Sequence, residues 1–85
     1  MKTIKHLIVN DGGLIGMNAA KFVHKCSSFK SSITVSSGHR TVNAKSILAV
    51  LYLGATQFDY IKVTICGVDE TLAQDDMKKY LKSNF

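Results

Sequence analysis

The hydrophobic positions of this chain repeat every second residue in some segments and every third or fourth residue in others. Residues 60–66 alternate β-branched apolar side chains with polar ones, which is typical of a strand with one buried face. Residues 32–36 alternate in the same way, and Ser37-Gly38 predicts a hairpin turn into a third strand over 39–42. A β-prone segment over 4–9 precedes a turn-forming stretch and predicts the first strand.

Three further segments have the helical period. The first begins at Gly16 or Met17, and its buried stripe is Ala19, Phe22, Val23, Cys26 and Phe29. The second is an apolar run from Ile47, preceded by Ser46 as a helix cap and closed by Gly54. Asp69 predicts the N-cap of a last helix, whose buried stripe is Ala73, Met77, Tyr80 and Leu81.

The predicted order of elements is βαββαβα. Short antiparallel strands with all helices on one side predict the α+β class. We therefore expect an open-faced sandwich, a four-stranded antiparallel sheet covered on one face by three helices.

The short helix from Ile47 is too apolar for a solvated helix. Ile47, Val50 and Leu51 share one face, whereas Leu48 and Tyr52 lie toward the other side. Two interpretations follow: either both faces are buried in this domain, or one face packs on the core and the other offers an apolar patch to a partner.

The length and composition predict one globular domain over residues 1–85. The chain is 46% hydrophobic, contains no proline and has no low-complexity segment that would mark a linker. No apolar run approaches the ~20 residues of a membrane span, and the first residues lack the apolar core of a signal peptide. We expect a cytoplasmic protein that binds no cofactor and no membrane.

The formal net charge of +5 raises the question of nucleic-acid binding. The basic residues are scattered over every predicted element, and only one of them is an arginine. Because no basic cluster is interleaved with aromatic residues, the sequence favours protein partners over direct nucleic-acid binding.

The cysteines and histidines show no metal-binding spacing. Cys26 and Cys66 lie at apolar positions and form no CxxC motif, which predicts two buried, reduced thiols. His6 alternates with Ile4 and Ile8 and is expected to pack against the covered face or at its edge. His24 lies on the exposed side of the first helix, where it is a candidate phosphoryl acceptor or an ordinary surface residue.

Several short motifs in this order resemble one family. They are the Asp-x-Gly-Leu approach to the first helix, the segment Val42-Asn43-Ala44-Lys45-Ser46-Ile47, the Leu-Gly after the second helix, and the Gly-x-Asp-Glu start of the last one. Together they resemble HPr, the small phosphocarrier of the bacterial sugar phosphotransferase system. The segment over 42–47 is especially similar to that of the catabolite-repression HPr-like protein.

The resemblance breaks at the phosphocarrier site. HPr carries Gly-[IL]-His-Ala-Arg-Pro-Ala at the start of its first helix, whereas this chain reads Gly13-Leu14-Ile15-Gly16-Met17-Asn18-Ala19. The histidine that accepts phosphate from enzyme I is replaced by Ile15, the arginine by Met17 and the proline by Asn18. Isoleucine has no nucleophilic atom, and methionine cannot neutralise a phosphoryl charge. Backbone N–H groups at Gly16 would still offer a weak anion site.

Ser46 is the family site that keeps its chemistry. The resemblance implies phosphorylation of this serine by HPr kinase/phosphorylase and binding of the phosphoprotein to a transcriptional regulator. The helix dipole and the adjacent Lys45 would favour a phosphate there. The alternative is that Ser46 serves only as a helix cap.

The sequence thus predicts a non-catalytic, HPr-like regulatory or interaction protein, with no metal site. Its partner-binding residues are predicted to be Ile15, Met17, Lys45, Ser46, Leu48, Leu51 and Tyr52. Expected partners are HPr kinase/phosphorylase, a transcriptional regulator or phosphotransferase-system proteins. The expected oligomeric state is a monomer or a weak homodimer. Gly12-Gly13 is a candidate hinge for dimer formation. The alternative function is a phosphocarrier that uses a different histidine such as His24.

Overall fold

The computed structural model describes all 85 residues and has the predicted order of elements. The elements are β1 (Lys2–Leu7), α1 (Gly16–Ser27), β2 (Ser32–Ser37), β3 (Arg40–Asn43), α2 (Ile47–Leu53), β4 (Tyr60–Cys66) and α3 (Glu70–Asn84). The four strands form one antiparallel sheet in the order β1-β4-β2-β3. The predicted α+β open-faced sandwich is confirmed.

One hydrophobic core lies between the helices and one face of the sheet. Alternation along β4 buries Ile61, Val63 and Ile65, while Lys62 between them stays exposed. Phe22 of α1 and Phe85 meet edge to face at 6.3 Å between ring centroids, which closes the core at the end of α3. The opposite face of the sheet carries polar side chains and remains open.

The ends of α2 follow the sequence prediction. The Ser46 hydroxyl accepts a hydrogen bond from the Ala49 N–H at 3.3 Å, as an N-cap does. Gly54 ends the helix with a φ of 64°, a left-handed conformation that favours glycine.

Asp69 occupies the N-cap position of α3 as predicted, but its side chain makes no hydrogen bond to the helix. Its carboxylate instead accepts bonds from the Lys30 N–H at 2.8 Å, the Ser31 N–H at 2.9 Å and the Ser31 hydroxyl. These bonds, that of the Ser31 hydroxyl foremost, hold the pKa of the Asp69 carboxyl below its usual range. Gly67 allows the close approach, because a Cβ there would lie 2.6 Å from Ser31 atoms. Asp69 thus joins the turn before α3 to the turn before β2.

Three smaller predictions also need correction. The two hairpin residues are Gly38 and His39, one position later than predicted, and β1 begins two residues earlier than expected. Cys66 is exposed rather than buried, because it follows Ile65 on β4 and so points to the open face. Cys26 is buried as predicted, and burial raises the pKa of its thiol to about 12.

Candidate functional site

The start of α1 is an exposed apolar corner. Ile15 occupies the N-cap position in an extended conformation, with no side-chain hydrogen bond to the helix. Its side chain is 45% exposed, and that of Met17 is 71% exposed. Solvent and any partner can therefore reach the two residues that replace the family's histidine and arginine.

Asn18 fixes the loop before α1. Its Nδ2 donates to the Gly13 carbonyl at 3.1 Å, a bond that proline could not make. The Leu14 N–H donates to the Ala55 carbonyl at 2.8 Å, and a Cβ on Gly13 would lie 2.5 Å from Thr56. The loop is thereby packed against the segment that follows α2, which places the start of α1 beside the C-terminal end of α2.

The outward face of α2 is open to solvent. Val50 and Leu53 are buried, whereas Leu48 is 77% exposed and Tyr52 is 69% exposed. Leu51 is 40% exposed. Of the two interpretations of this helix, the structure has the arrangement in which one face packs on the core and the other presents an apolar patch.

Arg40 stands beside this patch, and the sequence pattern gave no indication of it. Its Nη1 donates to the Tyr52 carbonyl at 3.3 Å, and its guanidinium carbon lies 5.0 Å from the centre of the Tyr52 ring. Arg40 therefore holds the Tyr52 ring by a cation–π contact and places a positive charge at the edge of the patch. The packing of α2 against β3 brings the two residues together, although they are 12 positions apart in the chain.

Lys45 is placed differently from the expectation. Its Nζ donates to the Phe29 carbonyl at 2.7 Å and is partly buried. The ammonium group therefore closes the turn after α1 with one of its three N–H donors.

Nearly the whole chain is similar to one family of proteins. Residues 2–83 match the family model described as "PTS HPr component phosphorylation site". The chain belongs to the HPr family. It is 38% identical over 79 residues to the phosphocarrier protein HPr of Xylella fastidiosa strain 9a5c, covering 93% of this chain and 89% of that protein. The corresponding identity to HPr of Haemophilus influenzae is 34% over 70 residues, or 82% of each chain.

Solved HPr structures have the same fold. The structure of HPr-C-His from Thermoanaerobacter tengcongensis has a TM-score of 0.94 at 36% identity, covering 100% of this chain and 96% of that one. An HPr dimer from the same organism has a TM-score of 0.75 at 36% identity, with 98% and 95% of the two chains covered. The Bacillus subtilis catabolite repression protein Crh, solved as an intertwined dimer with a swapped domain, also scores 0.75, at 26% identity over 100% and 98% of the chains.

None of the three histidines lies at the start of α1, where Ile15 stands. His24 is exposed in the last turn of α1, nine residues and roughly 13 Å along the helix axis from Ile15. The negative end of the helix dipole disfavours a phosphoryl group there. His39 lies in the β2–β3 turn, and His6 is partly buried on β1, as expected for a packed residue.

The structure shows no site for a metal ion and no membrane-crossing element. No three His, Cys, Asp or Glu side chains lie close enough together to hold a metal. None of the three helices is both long and apolar enough to cross a bilayer.

Proposed function

We propose that this protein is a regulatory or interaction member of the HPr family that does not carry phosphate at the usual position. The observation that carries the proposal is the exposed pair Ile15 and Met17, which stand where HPr has its phosphorylated histidine and its arginine. Members of the family are phosphocarriers rather than catalysts, and this chain is proposed to keep the docking role while losing the chemistry at that position.

The proposed docking surface combines the start of α1 with the exposed face of α2. It consists of the exposed or half-buried side chains of Ile15, Met17, Ser46, Leu48, Leu51 and Tyr52. Apolar side chains that replace charged ones at an exposed corner favour a partner with an apolar face. Lys45, next to Ser46, is proposed to contribute as well, since its bond to the Phe29 carbonyl uses only one of its three N–H donors.

Ser46 is proposed as the regulatory position. The first turn of α2 contains no acidic residue, so a phosphate there would meet only N–H groups and the positive end of the helix dipole. The added charge would stand beside Leu48 and would change which partners the docking surface accepts. HPr kinase/phosphorylase is the proposed modifying enzyme, with a cytoplasmic transcriptional regulator or a phosphotransferase-system protein as the partner.

The decisive experiment is phosphorylation by enzyme I with labelled phosphoenolpyruvate. We expect no acid-labile label on the protein, with an ordinary HPr labelled in parallel as the positive control. Histidine labelling of the parent chain would overturn the proposal, and its loss in the His24→Ala variant would establish the alternative phosphocarrier at His24. Incubation with HPr kinase/phosphorylase and ATP then tests Ser46, with Ser46→Ala as the matched control.

The monomer is the proposed resting state. The bonds of Asn18 and Leu14 hold the Gly12-Gly13 segment against its own chain, which opposes release of β1. Two structural neighbours are nevertheless dimers. Sedimentation velocity over a concentration series distinguishes a monomer from a weak homodimer.

A further inference from the structure

A basic groove runs between β1 and the C-terminal half of α3, at the sheet edge that is remote from α2. It encloses about 580 Å³. Four exposed lysines line it, against a single carboxylate, that of Asp75; they are Lys5, Lys78, Lys79 and Lys82. The groove therefore attracts negatively charged ligands.

One wall of the groove is the free edge of the sheet. β1 pairs only with β4, and the Ile8 N–H donates to the Asp59 carbonyl on that side. Because backbone groups alternate along an antiparallel strand, odd-numbered residues of this segment face away from β4. The Thr3 carbonyl accepts from Gln74 Nε2 at 3.1 Å, and the Val9 N–H donates to the Phe85 carbonyl at 2.6 Å, both on the outer side.

Between those two bonds the edge is unoccupied. By the same alternation, the N–H and C=O groups of Lys5 and Leu7 point outward, and no side chain of the protein bonds to them. The groove-lining His6 also has a buried Nε2 with no hydrogen-bond partner. The outward groups of Lys5 and Leu7 are those of a free edge strand, which an extended peptide can pair with, and an unpaired buried nitrogen such as that of His6 is uncommon.

We propose that this groove binds a short, extended, acidic peptide segment of a partner protein as an added strand on β1. The backbone of Lys5 and Leu7 would pair with the peptide, and the α3 lysines would bind its carboxylates. A second copy of this chain fits poorly, because its own β1 carries Lys2 and Lys5 and would oppose like charges.

Protection of an edge strand does not account for the position of these lysines. Lysine on a strand discourages edge-to-edge pairing, but three of these four lysines belong to α3 and not to the strand. None of the groove residues belongs to the docking surface, so this site does not depend on the function proposed above.

The test uses a fluorescent peptide of about six residues that alternates glutamate and valine. We expect binding with amide shifts at Lys5, Leu7 and the end of α3, seen in ¹H–¹⁵N spectra of the whole chain. The same peptide with N-methylated backbone amides should bind at least about tenfold more weakly, since it cannot pair with the strand.

Two charge variants separate this groove from general attraction. Lys78→Glu/Lys82→Glu should weaken binding at least about tenfold, whereas Lys21→Glu/Lys30→Glu, with the same change in net charge, should leave it within about twofold. Equal losses in both variants, or tight binding of the N-methylated peptide, would overturn the proposal. The proposal also fails if the peptide does not bind, or if a single-stranded oligonucleotide binds in the groove more tightly than the peptide does. It fails as well if the protein forms dimers through this edge without any peptide.

Discussion

The starts of α1 and α2 differ in their side-chain chemistry. At α2 the Ser46 hydroxyl accepts a bond from the Ala49 N–H, so the cap is a polar side chain. At α1 the cap position holds Ile15, which makes no side-chain bond, and Asn18 binds the loop instead of the helix end. Both helix ends offer N–H groups, yet only one has a side chain that can carry a phosphate.

This difference shows that a phosphate site needs suitable side chains in addition to the N–H groups of a helix start. The backbone supplies dipole and donors, which the fold preserves at both positions. The nucleophile and the neutralising cation come from side chains, and at α1 these have been replaced by apolar groups. The fold alone therefore does not decide whether a helix start can carry a phosphate.

Restoring the side chains of α1 should produce the largest effect. We expect Ile15→His/Met17→Arg to accept label from enzyme I and phosphoenolpyruvate, while the parent stays at background, because the helix start is still exposed and favours an anion. Acid-labile incorporation of label measures the result.

The matched control is the same double variant with His24→Ala, which should label equally well. A folded double variant that stays unlabelled would contradict the comparison. It would mean that the loop held by Asn18, and not the missing side chains, blocks the transfer.

Asp69, at the start of α3, extends the comparison to a third helix. Because its folded pKa is lowered, its contribution to stability is present above the ordinary value of 3.8 and is lost as pH falls through the lower folded value. Asp69→Asn should therefore reduce the urea midpoint at pH 7, and its difference from the parent should shrink below about pH 4.

Asp75→Asn is the control for that series, since Asp75 is exposed and makes no hydrogen bond within the protein. Its free energy of unfolding should stay within about 0.5 kcal/mol of the parent value at pH 7. An Asp69→Asn variant as stable as this control would show that the Ser31 contact does not hold the two turns together.

Removing the cap of α2 should have the smallest effect of the three. Ser46→Ala should lower the free energy of unfolding by about 1 kcal/mol, because the Ala49 N–H loses its acceptor. Ser46→Asp should preserve it, since aspartate also caps helices and suits the positive end of the dipole. Urea denaturation measures both, and equal losses in the two variants would show that the hydroxyl is not acting as a cap.

Local patterns were sufficient for most of the fold. The alternation over 60–66 and the helical spacing from Ala19 to Phe29 each report which face is buried, so both elements and their inward residues followed directly. The Ser46 cap and the Gly54 end of α2 were predictable because the relevant bonds span only a few residues. At the α1 site, residue identity together with the family resemblance predicts the loss of phosphocarrier chemistry, which labelling by enzyme I tests.

The remaining features depend on contacts between residues distant in the chain. Asp69 has the side chain of a cap, but the Ser31 turn, 38 positions away, captures its carboxylate. Lys45 turns toward Phe29, and Arg40 reaches Tyr52, because the β2–β3 hairpin and the packing of α2 bring these groups together.

The sequence by itself determined the order of elements, the buried faces, the serine cap and the absence of a nucleophile at position 15. These properties depend on side-chain chemistry and on the periods of helix and strand. Only the tertiary structure decided which polar groups found partners and which were left free, including the open edge of β1 beside the lysines of α3. Hydrogen-bond partners compete across the whole fold, and a local pattern cannot report which competitor lies closest.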